Sequence, residues 1–339
     1  MSSNMAAWIT SPKAWPFEIK PAPMGVPGDD EILIRNHAIA MNPIDKKLQQ
    51  LALYPLEYPA ILGEDVAGEV VSVGPNVTRF RPGDRVVGAT AGFVTRRTTD
   101  QAFQMYCILR TNLTIPLPGS MPFERAVVVP LGAATAAAGL FQAEFLNLQL
   151  PTHPKQGPNG KTVLVWGGAS SVGSNAIQLA VAAGYEVFTT ASPRNFDYVK
   201  NLGAAQAFDY SSPGIVQDLV GALQGKDFVG VFDAFGGPKT LPAVEVVHKT
   251  EGVKFVATTQ PRFPAPPEGV QMKQVQAMGI LNNDVGRFIF EDYLPEAFEQ
   301  GTFVPSPEPL VAGQGLESIQ SALDLMAEGV SARKIVVTL

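Results

Sequence analysis

The spacing of apolar residues divides the chain into regions of different character. From the N-terminus to about residue 120, short alternating or β-branched runs are separated by closely spaced turn residues, a pattern typical of an all-β module. The predicted strands of this module are residues 31–35, 67–73, 84–87 and 104–108. A group of prolines then marks its edge, and an alanine-rich helical run follows from Phe123.

In the central region, buried strands alternate with helices. The apolar run 162–166 is followed by a glycine turn and by a helix whose apolar positions keep near-helical spacing as far as Gly184. Further strands are predicted at 186–190, 206–208, 228–233, 253–257 and near 275–281, with helices ending near 202 and spanning 215–223 and 242–247. This alternation predicts an α/β fold with a doubly wound parallel sheet.

The last part of the chain returns to a mixed pattern. Residues 286–300 and 316–327 are predicted to be helices, and residues 334–339 a terminal strand. A lone strand must pair with other strands, so we expect this one to join the N-terminal β module.

Composition narrows the class of protein. The chain has 339 residues, 46% of them hydrophobic and 17% charged, which is typical of a folded protein of two domains. A net charge of −6 argues against binding to nucleic acid or to an anionic membrane. We find no secretory signal and no apolar run that reaches the length of a membrane span, so a cytoplasmic protein is expected. With Cys107 alone and three scattered histidines, no disulfide and no metal site are predicted.

The glycine-rich turn has the features of a phosphate site. Gly167 and Gly168 let the backbone turn sharply after a strand, and the free amide groups at the start of the next helix suit a pyrophosphate. Such a turn also occurs in α/β proteins that bind nothing, but the second βαβ unit that follows here favours a dinucleotide fold. The predicted cradle is formed by Gly168, Ser170, Ser171, Val172 and Gly173.

The end of the second central strand bears on the choice of cofactor. An acidic residue there would accept hydrogen bonds from a ribose 2′-hydroxyl, but none occurs before Asp197. Ser192, Arg194 and Asn195 instead offer donors that suit a 2′-phosphate, which predicts NADPH. The alternative is that Arg194 is a solvated surface charge.

Several motifs resemble one family. They are Asn42-Pro43-Ile44-Asp45, PAILGEDVAGEVVSVGPNVTRFRPGDRV at residues 59–86, VWGGASSVGSNAIQLA at residues 165–180, and the C-terminal residues 332–337. Over nearly its whole length the chain resembles the medium-chain dehydrogenase/reductase superfamily. Within that superfamily it is most similar to zinc-independent quinone oxidoreductases and to fungal enoyl reductases that act in trans on polyketide synthases. The resemblance implies a GroES-like β domain (residues 1–125, completed by 286–339), a Rossmann NADPH-binding domain (126–285) and a cleft between them.

The chain departs from the zinc-dependent members of this superfamily. Zinc alcohol dehydrogenases carry a Gly-His-Glu triplet where this sequence has Gly63-Glu64-Asp65, and a cysteine near Asn42. The four cysteines of their structural zinc lobe are also missing. The resemblance therefore implies chemistry without a metal.

The resemblance also implies roles for individual residues. Further cofactor contacts are implied at Pro43, Ile44, Asp45, Lys46, Tyr210, Ala257, Thr258, Arg333 and Lys334. Contacts with the substrate are implied at Leu131, Gly132, Thr135, Met278 and Gly279. For Tyr210 and for the small residues that follow Gly132, simple packing is the alternative.

Without a metal, such a reductase can deliver hydride to a carbon–carbon double bond conjugated to a carbonyl, because the charge then develops on an enolate oxygen. The candidate donors to that oxygen are Lys46, Lys47 and the Thr135 hydroxyl. Tyr54 is the candidate proton donor, although packing explains it equally well.

Three functions stay open at this point: an enoyl reductase on a free or carrier-bound acyl thioester, with a polyketide synthase as partner; a quinone or small enone reductase; and a cofactor-binding protein without turnover.

Overall fold

The structure, a computed structural model, describes residues 3–339 except for the side chain of Pro238. Its strands are β1 (Asn4–Ile9), β2 (Glu18–Ala22), β3 (Glu31–Ala40), β4 (Ala60–Ile61), β5 (Asp65–Val73), β6 (Arg85–Ala89), β7 (Tyr106–Arg110), β8 (Thr114–Pro116), β9 (Lys161–Trp166), β10 (Glu186–Ala191), β11 (Gln206–Asp209), β12 (Asp227–Asp233), β13 (Phe255–Thr258), β14 (Gln271–Gln274), β15 (Glu308–Gln314) and β16 (Arg333–Thr338).

The α-helices are α1 (Pro43–Leu51), α2 (Gly92–Thr95), α3 (Phe123–Ala126), α4 (Pro130–Phe141), α5 (Ser171–Ala182), α6 (Phe196–Asn201), α7 (Ile215–Leu223), α8 (Leu241–Lys249), α9 (Asp284–Arg287), α10 (Leu294–Glu299) and α11 (Ile319–Glu328). A π-helical segment, Phe288–Tyr293, joins α9 to α10. The predicted helix over 286–300 is thus helical as far as Glu299, with π-helical winding in the middle.

Contacts divide the chain into two units. The β unit comprises Met1–Leu131 and Phe290–Leu339, and the parallel-sheet unit comprises Gly132–Ile289. The sequence placed these limits at 125/126 and 285/286.

The β unit contains a sheet of seven strands and a smaller one of three. The larger follows the order β15-β16-β3-β5-β6-β8, with β7 also paired to β3, and the smaller follows β2-β1-β4. The terminal strand β16 pairs antiparallel with β3, which places Val336 opposite Ala40, so the prediction for this strand is confirmed. Ile9, Ile34, Phe103 and other apolar side chains form the core.

The parallel-sheet unit carries six parallel strands in the order β11-β10-β9-β12-β13-β14. This order reverses direction beside β9, as in dinucleotide-binding folds, where ligands bind at the carboxyl ends of the strands. The predicted doubly wound sheet and its accompanying β domain are confirmed. A core of large apolar side chains, among them Trp166, Leu219 and Phe228, lies beneath the helices on the sheet.

Two predictions about local structure are wrong. Residues 275–281 are not a strand, because the sixth strand is Gln271–Gln274 and Ala277–Ile280 forms a 3₁₀ turn. The run buries Val275 and Ile280, and short apolar runs do not distinguish a strand from a buried turn. An apolar helical stretch, Phe123–Phe141, also has the length and composition of a membrane span, contrary to the sequence analysis, although 78% of its apolar window is buried inside the protein.

Candidate functional site

The turn after β9 is shaped by its glycines. Gly167 adopts a left-handed φ of +84°, and the Gly167 and Gly168 amides both donate to Thr190, on β10, at 2.9 Å. A Cβ at Gly173 would lie 2.3 Å from the carbonyl oxygen of Gly167. Strand and helix therefore approach each other through backbone atoms at Gly173.

The start of α5 leaves donors facing outward from the helix end. Ser170 caps the helix: its Oγ accepts from the Gly173 amide at 3.0 Å, and its carbonyl oxygen accepts from the Ser174 amide at 2.8 Å. The amide of Val172 has no acceptor among the described residues. A glycine turn, an outward amide and the positive end of a 12-residue helix fit the pyrophosphate of a dinucleotide.

Polar and basic side chains meet at the carboxyl ends of β10 and β11. Ser192 Oγ lies 3.0 Å from the hydroxyl oxygen of Tyr210, so the structure brings these two predicted residues together. Lys239 places its ammonium 4.8 Å from the centre of the Tyr210 ring. Arg194 lies exposed in the same turn as Ser192, in the 3₁₀ segment Pro193–Asn195, with no acceptor among the described residues.

Lys239 was missed by the sequence analysis. The available signal was a basic residue in the Gly236-Gly237-Pro238-Lys239 turn directly after a parallel strand, β12. Only the fold shows that this turn lies beside Tyr210.

A buried aspartate organises the ends of β12 and β13. Asp233 is fully buried, and its Oδ2 accepts from the Thr240 and Thr258 hydroxyls at 2.6 Å each. Its Oδ1 accepts from two backbone amides of the following turn at 3.1 Å. Ala257 and Thr258 are themselves 0% exposed. The nicotinamide contacts that the resemblance implies at Ala257 and Thr258 stay a prediction, and the Thr258 hydroxyl holds the strand end in place through Asp233.

The residues predicted for substrate binding lie in different environments. Gly132 is buried against α5, since a Cβ there would lie 2.7 Å from Asn175 Nδ2, and packing explains this glycine. Thr135 follows on α4 and is 9% exposed. Met278 and Gly279 lie in the 3₁₀ turn after β14, where the Gly279 carbonyl accepts from Gln142 at 3.2 Å.

In the β unit, the segment Asn42–Lys46 begins α1, with Pro43 at its first position. Asp45 is 0% exposed, and its two carboxylate oxygens accept from the amides of Asn42 at 2.8 Å and Gly63 at 3.1 Å. This carboxylate holds the start of α1 to the loop before β5. The cofactor contact predicted at Asp45 stays a prediction. Ile44 and Lys46 are half-buried and Pro43 is exposed.

The Lys334 ammonium also has its bonding partners inside the protein. Its ammonium lies 3.0 Å from Asp65 Oδ2 and donates to Asn42 Oδ1 at 2.5 Å, and the residue is 4% exposed. The other oxygen of Asp65 accepts from the Leu131 amide at 2.6 Å. The contact near the cofactor predicted at Lys334 stays a prediction. The neighbouring Arg333 is exposed and makes a single long contact, 3.4 Å to a carbonyl oxygen.

We call Asn42, Asp45, Glu64, Asp65 and Lys334 the polar cluster. Burial and the nearby charge of Asp65 raise the pKa of Asp45 to about 7, although Lys334 and two backbone donors oppose the shift. Burial, followed by the charges of Asp45 and Asp65, raises the pKa of Glu64 well above its usual range. Both shifts favour the protonated form of these two carboxyl groups.

The positions that hold zinc in related dehydrogenases are filled differently here. The Asn42 amide is already bonded to Asp65 at 2.8 Å. Within residues 3–339, no group of three or more histidine, cysteine, aspartate or glutamate side chains is arranged to hold a metal ion. Cys107 lies in the core of the β unit, where burial raises the pKa of its thiol.

The three catalytic candidates of this unit lie on α1 and in the loop after it. Lys46 and Lys47 are half-buried, and neither ammonium has a hydrogen-bond or ion-pair partner in the described part of the chain. Tyr54 packs edge-on against Phe93, with ring centres 5.4 Å apart. The packing alternative for Tyr54 thus has a partner in the structure.

Comparisons with known proteins agree with the two-part architecture. A family model described as alcohol dehydrogenase GroES-like domain matches residues 28–131, and one described as zinc-binding dehydrogenase matches residues 171–299. The zinc-binding alcohol dehydrogenase domain-containing protein cipB of Emericella nidulans is 54% identical over 99% of this chain and 98% of its own. The trans-enoyl reductase himH of Aspergillus japonicus is 38% identical over 98% of this chain and 97% of its own.

Among solved structures, an alcohol dehydrogenase superfamily protein from Novosphingobium aromaticivorans superposes with a TM-score of 0.79 at 27% identity, covering 99% of both chains. Family models over both regions and a full-length relative at 54% identity show the family. The chain belongs to the medium-chain dehydrogenase/reductase superfamily of oxidoreductases, which use a nicotinamide cofactor.

Proposed function

We propose that this chain is an NADPH-dependent, metal-independent enoyl reductase that saturates a double bond conjugated to the carbonyl of an acyl thioester. The observation that carries the proposal is the relative named trans-enoyl reductase, 38% identical over nearly the full length of both chains. A reductase that acts in trans takes its substrate from a separate protein. We propose a polyketide synthase as that protein.

The residues of α1 suit the charge that this reaction creates. When bound, the nicotinamide supplies a hydride to the β-carbon, and negative charge develops on the enolate oxygen. Lys46 and Lys47 have no competing acceptor among the described residues, so their ammonium groups are available to that oxygen. The Thr135 hydroxyl is the third proposed donor. A fixed donor in a dry site contributes about 2.7–4 kcal/mol to the stability of such a charge.

The preference for NADPH rests on the ends of β10 and β11. Ser192, Tyr210 and Lys239 lie together there, with the unpartnered Arg194 in the same turn, and no acidic side chain ends β10. A 2′-phosphate would gain charge-assisted hydrogen bonds from this set. A 2′-hydroxyl would find no carboxylate at the end of β10, and Asp209, which ends β11, already accepts from the amide and hydroxyl of Ser211 through Oδ1.

Independence from metal is tested by elemental analysis and chelation. We expect no stoichiometric zinc and unchanged turnover after dialysis against a strong chelator, because the Asn42 amide is bonded within the polar cluster. One zinc ion per chain that leaves together with activity would refute this part of the proposal.

The reaction is tested by steady-state NADPH oxidation with 2-enoyl thioesters, small enones, quinones and simple alcohols. We expect the thioesters to turn over and the alcohols to be inert. Deuteride from labelled NADPH should appear at the β-carbon and solvent deuterium at the α-carbon.

Each alternative gives a distinct result. Turnover of quinones or small enones alone would establish the quinone or enone reductase instead, and tight NADPH binding without turnover of any compound would indicate a non-catalytic protein. Label at a carbonyl carbon would identify a carbonyl reductase on the same fold.

A further inference from the structure

The parallel-sheet unit contains a pocket of about 450 Å³ beside α8. One face of that helix contributes Leu241, Val244 and His248, whose spacing of three or four residues places them on the same side. The proline-rich loop 260–267 after β13 contributes further apolar side chains, and β14 contributes Met272. Every lining residue belongs to this one unit.

Most polar groups of the lining are already bonded within the protein. The Thr240 hydroxyl donates to Asp233 Oδ2 at 2.6 Å, and Gln260 Oε1 accepts from the Gly237 amide at 3.0 Å. The Glu245 carboxylate forms an ion pair with the lysine one turn further along α8. An occupant therefore meets mainly aliphatic side chains and gains few hydrogen bonds, which favours an apolar chain over a polar ring such as a nucleobase.

The volume of the pocket indicates a small molecule as its occupant. Ligand pockets in proteins usually measure about 300–1,000 Å³ and are lined mainly by apolar side chains with a few polar groups. A stable protein partner would instead need about 800 Å² of contact on each side. Leu241 is 55% exposed, so this part of the lining is accessible to an entering ligand.

The polar atoms that stay available in the lining are hydrogen-bond donors. Since Gln260 Oε1 accepts from a backbone amide, its Nε2 is left to donate. The His248 imidazole, exposed on α8, also carries a ring N–H, and no hydrogen bond joins this ring to another residue within 3–339. Two donors suit an acceptor such as a carboxylate. An ammonium group, which can only donate, would find Glu245 already ion-paired.

We propose that this pocket is a ligand site for an unbranched aliphatic chain of medium length that ends in a carboxylate. The chain would lie against Leu241, Val244 and Met272, and the carboxylate would accept from His248 and Gln260. Removal of each methylene group from water drives the binding. The binding is non-covalent, and the inference does not depend on the reaction proposed above.

Calorimetric titration of the full chain with hexanoate, octanoate and decanoate tests the site. We expect the dissociation constant to fall about tenfold for every two methylene groups until the pocket is filled, with a negative change in heat capacity. Decylamine, which has the same chain length and a cationic end, should bind about tenfold more weakly than decanoate. The proposal is overturned if no chain length gives saturable binding, or if decylamine binds as tightly as decanoate.

Leu241→Glu and Val253→Glu form a matched pair of variants. Both replace an exposed aliphatic side chain of the same unit, but Val253 does not line the pocket. Leu241→Glu should weaken decanoate about tenfold, because it places a like charge in the lining, and Val253→Glu should match the wild type. His248→Leu removes one donor and should weaken decanoate by about three- to tenfold without weakening decylamine. Equal decanoate affinities for the two glutamate variants would contradict the proposal.

Hydrogen exchange identifies the place of binding without relying on a variant. Decanoate should slow amide exchange in residues 241–248 and 260–267 and leave the glycine turn at residues 167–173 unchanged. Protection confined to other segments would place the ligand elsewhere and overturn the proposal. A wild-type dimer that Leu241→Glu dissociates would also overturn it, because a second copy of the chain would then cover the pocket.

Discussion

The glycine turn of the parallel-sheet unit and the polar cluster of the β unit are built over very different sequence separations. In the turn, Ser170 caps its helix by bonding to Gly173, three residues away. In the cluster, Lys334 bonds to Asn42 across 292 residues of sequence. The turn can therefore be predicted from one short motif, whereas the cluster forms only when β16 pairs with β3. The internal bonds of Asp45 and Lys334, which the sequence assigned to cofactor contacts, could accordingly not be predicted.

The largest expected effect tests whether the cluster is a folding element. Replacement Lys334→Met should lower the free energy of unfolding by about 3–5 kcal/mol, because it leaves Asp65 as an unpaired buried charge. The matched control is Arg333→Met, which removes an exposed cation with one long contact and should have little effect. Urea denaturation of both variants measures this. Equal losses at the two positions would mean that the buried pair contributes no more than a surface charge.

The second effect is a dependence of stability on pH. The pKa of Asp45 is about 7 in the folded protein, against an ordinary value of 3.8. Between these values the folded state holds a proton that the unfolded state has released, so the free energy of unfolding should fall as pH rises from 3.8 to about 7. The slope for one proton is at most about 1.4 kcal/mol per pH unit.

Asp45→Asn isolates this contribution, because asparagine stays neutral at every pH. The variant should lose less stability than the wild type over the same interval, measured by denaturation at a series of pH values. Glu69→Gln, at an exposed site, should follow the wild-type curve. Parallel curves for wild type and Asp45→Asn would show that Asp45 does not titrate in this range.

The difference in sequence separation between the turn and the cluster also explains what the sequence could and could not predict. The strands β9 to β13, their helices and the glycine turn followed from apolar runs and glycines, since each signal lies within a few residues of the element that it specifies. The strand predicted at 275–281 was wrong because a short apolar run does not distinguish a strand from a buried turn. The sequence shows a basic residue, Lys239, in the turn after β12, but the roles of Lys239 and Asp233 depend on which loops meet at the carboxyl ends of parallel strands.

The third effect concerns the nucleotide rather than the fold. Arg194→Ala should weaken NADPH by about 1.5–3 kcal/mol, the scale of a hydrogen bond to a charged group, and leave NADH almost unchanged. Lys239→Ala should act in the same direction, because its ammonium lies beside Tyr210. Lys200→Ala is the control, an exposed cation on α6. Fluorescence titrations with both nucleotides decide the matter: equal losses for NADPH and NADH would remove the 2′-phosphate assignment.

The smallest effect tests the close packing of the glycine turn itself. In Gly173→Ala, the new Cβ would lie 2.3 Å from the Gly167 oxygen and 2.8 Å from the Gly168 Cα. Backbone atoms must move to relieve this contact, which typically costs about 1–3 kcal/mol. Both nucleotides should then bind more weakly to the same degree, because the pyrophosphate is common to them.

The matched control is Gly221→Ala on α7, where no atom lies within 4 Å of the new Cβ. This variant should stabilise the protein by up to about 1 kcal/mol through helix propensity. A Gly173→Ala variant with wild-type stability and affinity would show that β9 and α5 can move apart here at no cost. The local geometry of the turn would then be no requirement for binding the nucleotide.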